Sequence, residues 1–258
     1  MEKITGRSNP ICTHIRKLGK SKSYRDEHSL FLCDGVKLLD EALDSGASID
    51  TVLVSNMTEK NLPRYRKLPP DISVYSVHEE LLDSLSPLNN SQGVLFTCRM
   101  KSEETIDFSS GTHLLLDDIQ DPGNVGTIIR CAYAFGIDSV SLTEGSADIY
   151  NPKTLRATMG AVFKQPVIRL DRAQIFNLKG FGARIIGTTN DSDSHDISFA
   201  ELNNAIIVLG NEGHGISDDL KALCDQMIKI PLKSGCESIN VAVAASILMW
   251  EASKTCQH

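Results

Sequence analysis

The feature that most constrains the fold is an alternation of short apolar runs with helical patterns along the second half of the chain. The candidate strands are residues 113–119, 139–143, 184–188, 205–209 and 227–231, and the candidate helices are residues 125–135, 152–162, 217–224 and 239–254. Continuous apolar strands between helices are typical of a parallel sheet covered on both faces. Such sheets bind ligands beyond the carboxyl ends of their strands, so we expect the loops there to carry function.

The first half of the chain shows a shorter alternation of the same kind. Its candidate strands are residues 29–33, 51–55, 72–77 and 93–98, and its candidate helices are residues 37–43 and 78–85. Asp34 and Gly46 are the expected N-cap and C-cap of the first helix. The chain is therefore predicted to be α/β throughout. We expect a small domain over residues 1–99, a polar linker over residues 100–111 and a larger domain over residues 112–258.

Composition excludes several classes of protein. With 258 residues, 41% of them hydrophobic and 23% charged, the chain has a globular rather than a disordered or collagen-like composition. The most apolar stretch, residues 239–250, is shorter than the roughly 20 residues of a membrane helix, and residues 1–14 do not resemble a signal peptide. Seven cysteines without CxxC spacing or a Cys/His cluster predict a reduced, cytoplasmic protein with no metal site.

The charge is distributed unevenly along the chain. The net charge is −7, yet residues 1–25 carry a net charge of +6, which leaves −13 for the rest. A basic N-terminal segment on an acidic body can grip a polyanion locally, or it can be a solvated helix face. The charge pattern alone leaves both interpretations open.

The first candidate site is the turn between the strand at 113–119 and the following helix. Residues 121–124, DPGN, form a turn by composition, Asn124 stands at the expected helix start, and Arg130 interrupts an otherwise apolar helix. Asn124 could simply cap the helix while Arg130 extends its charged end into water. A polar pair beyond a buried strand could equally form part of a site.

Two further loops have the same character. Three glycines, Gly210, Gly213 and Gly215, follow a buried strand, and Glu212 lies among them. The glycines either allow the backbone to approach a ligand closely or simply form a tight turn. A polar loop at residues 233–237 precedes a helix opened by residues 238–240, whose next turns are rich in Ala and Val. That helix is either an ordinary core helix or one packed closely against another backbone. Neither loop matches GxGxxG, which disfavours a nucleotide-dependent oxidoreductase.

Together, these loops resemble the SpoU family of the SPOUT superfamily, the TrmH-like RNA ribose 2'-O-methyltransferases that use S-adenosyl-L-methionine (AdoMet). Residues 121–132, DPGNVGTIIRCA, are similar to the family's first motif, residues 209–216, LGNEGHGI, to its second, and residues 230–244, IPLKSGCESINVAVA, to its third. The family's N-terminal RNA-binding domain is resembled by residues 15–43 and 89–98, IRKLGKSKSYRDEHSLFLCDGVKLLDEAL and NNSQGVLFTC. Cys131 and Ala242 depart from the motifs, since many relatives have Thr and Ser there.

The resemblance implies a parallel sheet with a C-terminal trefoil knot, a homodimer and an AdoMet pocket built by the second and third motifs. The residues implied to bind AdoMet are Leu209, Gly210, Gly213, Ile230, Leu232 and Ile239. The residues implied to be catalytic are Arg130, Asn124, Glu212, Ser238 and Asn240. No metal ion is needed.

The implied reaction is methyl transfer to a ribose 2'-hydroxyl. Because a guanidinium group stays protonated, we expect Arg130 to clamp a phosphate and stabilise negative charge on the oxygen rather than to act as a base. Asn124 would orient Arg130 or the ribose, and Glu212 would fix Arg130 or a substrate hydroxyl. Ser238 and Asn240 would complete the hydrogen bonds around the nucleophile. In a dimer, Arg130 could act on AdoMet held by the other chain.

The substrate implied by the resemblance is RNA, with rRNA favoured over tRNA because of the N-terminal domain. Basic residues expected to hold RNA phosphates are Arg16, Lys17, Lys20, Lys22, Arg25, Lys153 and Arg156. Lys153 and Arg156 could instead belong to a solvated helix face. A tRNA methyltransferase, a SPOUT enzyme acting on a base and a non-catalytic RNA-binding protein on the same scaffold remain alternatives.

Overall fold

The computed structural model describes residues 2–59, 68–69, 72–88, 91–101, 105–191 and 194–254, and its chain divides into two compact units. The first unit comprises Met1–Ser102 and Asp148–Phe163, and the second comprises Glu103–Ala147 and Lys164–His258. Residues 148–163, expected within the C-terminal domain, thus group with the first unit. Residues 102–104 of the predicted linker lie outside the described residues. So do Asn89 and Asn90, the first two residues of the segment 89–98 that resembles the family's N-terminal domain.

Each unit is built on its own sheet. The first sheet is mixed, with strand order β1-β4-β3-β5-β2, and consists of β1 (Glu2–Ile4), β2 (Leu30–Asp34), β3 (Ile49–Ser55), β4 (Ser73–Val77) and β5 (Val94–Arg99). The second, with order β10-β12-β9-β11-β6-β7-β8, consists of β6 (His113–Leu116), β7 (Ser139–Leu142), β8 (Val167–Arg169), β9 (Arg184–Thr188), β10 (His195–Asp196), β11 (Ala205–Leu209) and β12 (Gln226–Lys229). Neighbouring strands of the second sheet pair in parallel, which confirms the predicted fold class.

Helices connect these strands. The α-helices are α1 (Pro10–Lys20), α2 (Lys22–His28), α3 (Val36–Asp44), α4 (Asn56–Glu59), α5 (Glu79–Leu85), α6 (Pro122–Phe135), α7 (Pro152–Thr158), α8 (Arg172–Asn177), α9 (Asp218–Lys221) and α10 (Val241–Lys254). Single 3₁₀ turns cover Ala161–Phe163, Leu178–Phe181 and Ile197–Phe199. No described helix is both long and apolar enough to cross a lipid bilayer.

Both predicted caps of α3 are wrong, and α6 begins before Asn124. Asp34 ends β2 rather than capping α3, because its carboxylate accepts hydrogen bonds from Ser86 and Gln92, and Gly35 occupies the N-cap. The C-cap of α3 is Ser45, with Gly46 following at φ +69°. Asn124 lies inside α6, since Asp121 caps that helix by accepting from the Asn124 backbone N–H. The Asn124 side chain is therefore free for other contacts.

The core of the second unit surrounds its sheet. Every residue of β6, β7 and β11 is buried. These strands are apolar apart from His113, Ser139 and Ser141, as expected for strands covered on both faces. The predicted strands at 184–188 and 205–209 coincide with β9 and β11. The carboxyl ends of these strands fix where the following loops begin.

Residues 148–163 join the first unit through α7 and buried side chains. Phe31 of β2 stacks on Tyr150 at 4.6 Å between ring centroids and on Phe163 at 6.3 Å. The Arg25 guanidinium donates to Asp148 Oδ2 at 2.6 Å and to the Leu18 carbonyl at 2.7 Å. The Arg25 and Asp148 side chains are only 4% and 13% exposed. This buried ion pair ties α2 to the start of the segment.

We expect Arg25→Ala to lower the free energy of unfolding by about 3–5 kcal/mol, because it leaves the Asp148 carboxylate buried without its partner. Urea denaturation of the full chain measures the effect. Lys22→Ala is the matched control: its pair with Asp26 is about half exposed, so its loss should cost less than about 1 kcal/mol. Equal losses in the two variants would contradict a structural role for the Arg25 pair.

The six described cysteines are free thiols, and Cys256 lies outside the described residues. Burial raises the pKa of the Cys33 thiol well above its ordinary value and that of Cys224 to about 11, so both thiols stay protonated at neutral pH. No cluster of potential metal ligands occurs among the described residues.

Candidate active site

The three motif loops meet at the carboxyl edge of the second sheet. The first follows β6, the second follows β11 and the third follows β12. In the sheet, β11 pairs with β6 on one side and with β9 on the other, and β12 pairs with β9. Because all four strands are parallel, their carboxyl ends and the following loops lie at one edge.

A chain of hydrogen bonds joins one side chain from each motif. The Asn124 amide donates from Nδ2 to Glu212 Oε1 at 2.7 Å. Its Oδ1 accepts from Asn240 Nδ2 at 3.0 Å. Asn124 therefore uses both ends of its amide, and its orientation is fixed by a carboxylate on one side and an amide donor on the other.

Local structure holds the two outer members of this chain. Asn240 Oδ1 accepts from the backbone N–H of Ala242 at 2.9 Å, so this side chain also caps the start of α10. Glu212 lies in a loop closed by paired backbone hydrogen bonds between Asn211 and Gly215, at 3.0 and 2.9 Å. The Asn211 Nδ2 amide donates to the Asp118 carbonyl at 2.8 Å, which fastens the second motif to the first.

Gly210 is required by the same loop. A Cβ atom at this position would lie 2.1 Å from the Ile216 backbone nitrogen and 2.2 Å from the Gly215 carbonyl carbon. No side chain fits between these backbone atoms. The loop therefore folds back directly over Gly210.

A cavity of about 420 Å³ opens beside these residues over the ends of β9, β11 and β12. Apolar side chains of Ile216, Ile228, Val241 and Leu248 form part of its wall, and residues 188–191 add polar groups to it. Among the residues predicted for the site, the following line this cavity: Leu209, Gly210, Glu212, Ile230, Leu232, Ser238, Ile239 and Asn240. Gly213 is exposed in the adjoining loop and donates its N–H to Asn211 Oδ1 at 2.7 Å.

Arg130 stands apart from this cavity within a single chain. It is exposed on α6, it is absent from the cavity lining, and its side chain makes no hydrogen bond with any described residue. Six residues along a helix rotate a side chain by about 240°, so Arg130 cannot share a face with Asn124. Cys131 and Ala242, the two residues that depart from the family motifs, lie where α6 meets α10. The Ser246 hydroxyl contacts Cys131 Sγ at 3.3 Å and donates to the Ala242 carbonyl.

The basic residues predicted to bind RNA all belong to the first unit. Lys17, Lys20 and Lys22 are exposed and Arg16 is partly exposed, on α1 and α2. Lys153 and Arg156 are exposed on α7. Arg25 differs because its buried guanidinium is already bound to Asp148.

An aromatic cluster adjoins the basic residues of α1. The rings of His14, Tyr24 and His28 lie within 5.5 Å of each other, and Lys17 Nζ lies 5.2 Å from the Tyr24 ring centroid. Burial lowers the pKa of His14, and the neighbouring His28 lowers it further, so His14 is neutral at pH 7. His14 therefore adds no positive charge to this face at pH 7.

Asn190 is a cavity residue that the sequence analysis missed. It follows β9, and its Nδ2 donates to the Glu237 carbonyl at 2.9 Å, which anchors the third motif loop. The signal was present in the sequence, because residues 189–191, TND, directly follow a predicted buried strand. The same rule that singled out the other loops applies to this one.

Comparison with known proteins identifies the family. Residues 111–250 match the SpoU rRNA Methylase family, and residues 9–95 match the MRM3-like substrate binding domain. A Bacillus subtilis relative, "23S rRNA (guanosine(2553)-2'-O)-methyltransferase RlmP", is 33% identical over 97% of this chain and 98% of its own length.

Two solved structures resemble the whole chain. An AdoMet-bound rRNA methyltransferase from Sinorhizobium meliloti has a TM-score of 0.87 and 27% identity, covering 100% of this chain and 99% of its own. A putative RNA methyltransferase of the TrmH family from Porphyromonas gingivalis has a TM-score of 0.83 and 30% identity, covering 96% and 98%. With its family model matched over more than half of its length, this chain belongs to the SpoU rRNA methylase family.

Proposed function

We propose that this chain is an AdoMet-dependent methyltransferase that modifies a ribose 2'-hydroxyl of ribosomal RNA. The observation that carries the proposal is the hydrogen-bonded chain Glu212–Asn124–Asn240, which joins three motifs at the edge of a ligand-sized cavity. The names of the relatives support it, since RlmP is called a 23S rRNA 2'-O-methyltransferase and the Sinorhizobium meliloti structure is described as AdoMet-bound.

The cavity has the chemistry that AdoMet requires. Its volume, about 420 Å³, falls within the usual range for small-molecule sites. Leu209, Ile230, Leu232 and Ile239 supply apolar surface for a purine ring, and Gly210 exposes backbone groups for hydrogen bonds. No metal ion enters this proposal.

The residues of this chain must align a ribose oxygen and assist the loss of its proton. AdoMet, when bound, supplies a methyl group activated by its positively charged sulfur. Displacement at that carbon requires the attacking oxygen in line, so positioning provides much of the rate enhancement. The fixed amide of Asn124 orients the ribose, and Ser238 and Asn240 add hydrogen-bonding groups around the hydroxyl. Glu212 accepts a hydrogen bond from Asn124 and holds this arrangement in place.

Arg130 completes the site from a second copy of the chain. Its position outside the cavity of its own chain supports this assignment, as does the apolar surface of the helices beside it. Tyr133 on α6 and Val243 and Trp250 on α10 are about half exposed, and they supply apolar surface that a second copy can cover. We therefore propose a homodimer in which Arg130 clamps a phosphate and stabilises negative charge on the oxygen. Sedimentation equilibrium of the full chain tests the dimer.

We propose that residues 1–99 bind the RNA substrate, that residues 100–111 act as the linker, and that residues 112–258 form the methyltransferase domain, with a C-terminal trefoil knot. Exposed phosphate contacts are assigned to Arg16, Lys17, Lys20, Lys22, Lys153 and Arg156. Arg25 is left out of this set because its charge is buried and paired. The proposed compartment is the cytoplasm.

Transfer of labelled methyl from AdoMet tests the proposed function. Full-length chain is incubated with unmodified ribosomal RNA or with total tRNA, and the product is mapped for ribose methylation. We expect label in ribosomal RNA at a 2'-hydroxyl. Label in tRNA alone, on a base, or in neither RNA would reject the proposal, and AdoMet binding without transfer would favour a non-catalytic RNA-binding protein.

Asn124→Asp should lower the transfer rate by roughly 10- to 100-fold, since it removes the amide donor and sets a second carboxylate against Glu212. Affinity for AdoMet, measured by calorimetry, should change little because Asn124 is not part of the cavity lining. Asn177→Asp, at the end of α8, is the matched control and should transfer at the parent rate. A full rate in Asn124→Asp would show that the motif-joining amide is not needed for the chemistry.

A further inference from the structure

A second cavity, of about 340 Å³, lies at the same edge of the sheet over the ends of β6, β7 and β8. The second motif loop separates it from the first cavity, and His214 lines both. None of the proposed AdoMet-binding or catalytic residues lines this second cavity. The roles assigned so far therefore leave it without a ligand.

Part of the lining of this cavity is apolar, and an aromatic ring next to it offers a surface on which a flat ligand can stack. Leu170, Ile175 and Leu220 belong to the hydrophobic core of the second unit and also line this cavity. Phe176 on α8 also lines the cavity and is 51% exposed. An exposed aromatic ring beside an apolar floor suits a planar, weakly polar body.

The rim is rich in hydrogen-bond acceptors. Carboxylates of Asp118, Glu144 and Asp219 line it, and Asp219 is already paired with Arg172 at 3.1 Å. Asp117 is buried and accepts from the Ser217 backbone N–H. The acceptors that remain available to a ligand are chiefly those of Asp118 and Glu144.

Asp118 is held at this rim by unusual local structure. Its backbone has φ +56°, its N–H donates to Thr143 Oγ1 at 2.9 Å, and its carbonyl accepts from Asn211. A Cβ at Gly145 would lie 2.3 Å from Asp118 Oδ1, so the glycine makes room for this carboxylate. Within the part of the chain that the structure describes, the carboxylate makes only long contacts, at 3.3–3.4 Å, to Gln120, Asn211 and His214. It is positioned firmly yet can still accept strong hydrogen bonds.

We propose that this cavity binds an unpaired guanine of the RNA substrate, an inference that rests on the proposed function. RNA-binding proteins read single-stranded bases by stacking them on aromatic side chains and hydrogen-bonding their Watson–Crick edges. Guanine presents two adjacent donors on that edge, N1–H and the N2 amino group, which match the two oxygens of a carboxylate. Asp118 accepts these two bonds, Phe176 stacks on the ring, and Glu144 contributes a further acceptor. Phosphates stay outside, because the rim carries more negative than positive groups.

Short RNA probes test the assignment. The full chain is saturated with S-adenosylhomocysteine, so that a purine cannot enter the first cavity, and is titrated with the pentamers UUGUU, UUIUU (I, inosine) and UUUUU. We expect UUGUU to bind at least about tenfold more tightly than UUUUU. The inosine probe, which lacks the N2 amino group, should lie between them.

Two variants assign the preference to this cavity. Asp118→Asn keeps the shape of the side chain, and asparagine also tolerates a positive φ. This variant should abolish the preference for guanine over uracil. Phe176→Ala should weaken binding of UUGUU by about fivefold or more through lost stacking. Phe199→Ala is the matched control, since Phe199 is 84% exposed in the same unit and does not line the cavity. Thermal unfolding shows whether each variant is folded.

The outcomes separate this inference from the proposed function. Equal binding of UUGUU and UUUUU, or an unchanged guanine preference in both Asp118→Asn and Phe176→Ala, would overturn it. A tetra-arginine peptide that binds more tightly than UUGUU and displaces it from this cavity would also overturn the inference. The ligand of the cavity would then be a basic protein segment. A guanine preference in a chain that transfers no methyl to RNA would support the cavity assignment and reject only the proposed reaction.

Discussion

Replacing Arg130 with alanine should lower methyl transfer to RNA by at least about 100-fold while leaving AdoMet affinity nearly unchanged. The large effect on rate is expected because a positive group beside an oxygen that gains negative charge commonly contributes a factor of roughly 10²–10³. The unchanged affinity follows from the position of Arg130 on the exposed side of α6, outside the cavity lining. Single-turnover transfer and calorimetry measure the two quantities separately.

Two further variants sharpen this test. Arg130→Lys keeps the charge but loses the planar pair of donors, so it should recover only part of the rate. Thr127→Ala, one turn earlier and also exposed on α6, should transfer methyl at the parent rate. If the Arg130→Ala and parent chains transfer at equal rates, Arg130 has no place in the mechanism. Mixing Arg130→Ala with a cavity-defective variant should restore activity if Arg130 acts across a dimer.

Gly210→Val should weaken AdoMet binding by roughly 10- to 100-fold and destabilise the fold. The added Cβ would overlap the backbone of Gly215 and Ile216, at 2.1–2.5 Å, and cannot be relieved by a side-chain rotation. Forced overpacking of this kind typically costs about 1–3 kcal/mol. Because the displaced loop forms a wall of the cavity, the ligand site should be lost with it. Calorimetry with AdoMet and thermal unfolding measure the two effects.

Gly180→Ala is the matched control in the same unit. A Cβ there would meet no other atom of the described residues within 4 Å, and Gly180 does not have a positive φ. This variant should bind AdoMet nearly as well as the parent chain. An unaltered AdoMet affinity in Gly210→Val, in a folded protein, would refute the assignment of Gly210 to the pocket wall.

The sequence predicted the second unit well because its strands are buried on both faces. Continuous apolar runs such as residues 205–209 can be recognised without knowledge of neighbouring elements, and β11 has those bounds. Motif order then indicated which loops belong together. The hydrogen bonds from Asn124 to Glu212 and Asn240 could not be predicted individually, because they depend on side chains separated by 88 and 116 residues.

Errors in the prediction arose where tertiary contacts override local preference. Asp34 has the residue type of an N-cap, but Ser86 and Gln92, more than 50 residues away, engage its carboxylate. Asn124 has the residue type of a cap as well, yet Asp121 takes that place and frees Asn124 for the site. The sequence does not separate Arg25 from the exposed basic residues, because Asp148, its partner 123 residues away, carries no local signal.

The pairing of residues 148–163 with β2 has a consequence for how this protein can be taken apart. The polypeptide enters the first unit twice. A single cut between the two units therefore always separates part of one unit from the rest of that unit. A fragment ending near residue 99 would lack Tyr150 and Phe163 and would present Phe31 to water. Gene fusions, deletions and domain exchanges between relatives therefore have to move two separate stretches of sequence together, which makes this architecture resistant to modular rearrangement.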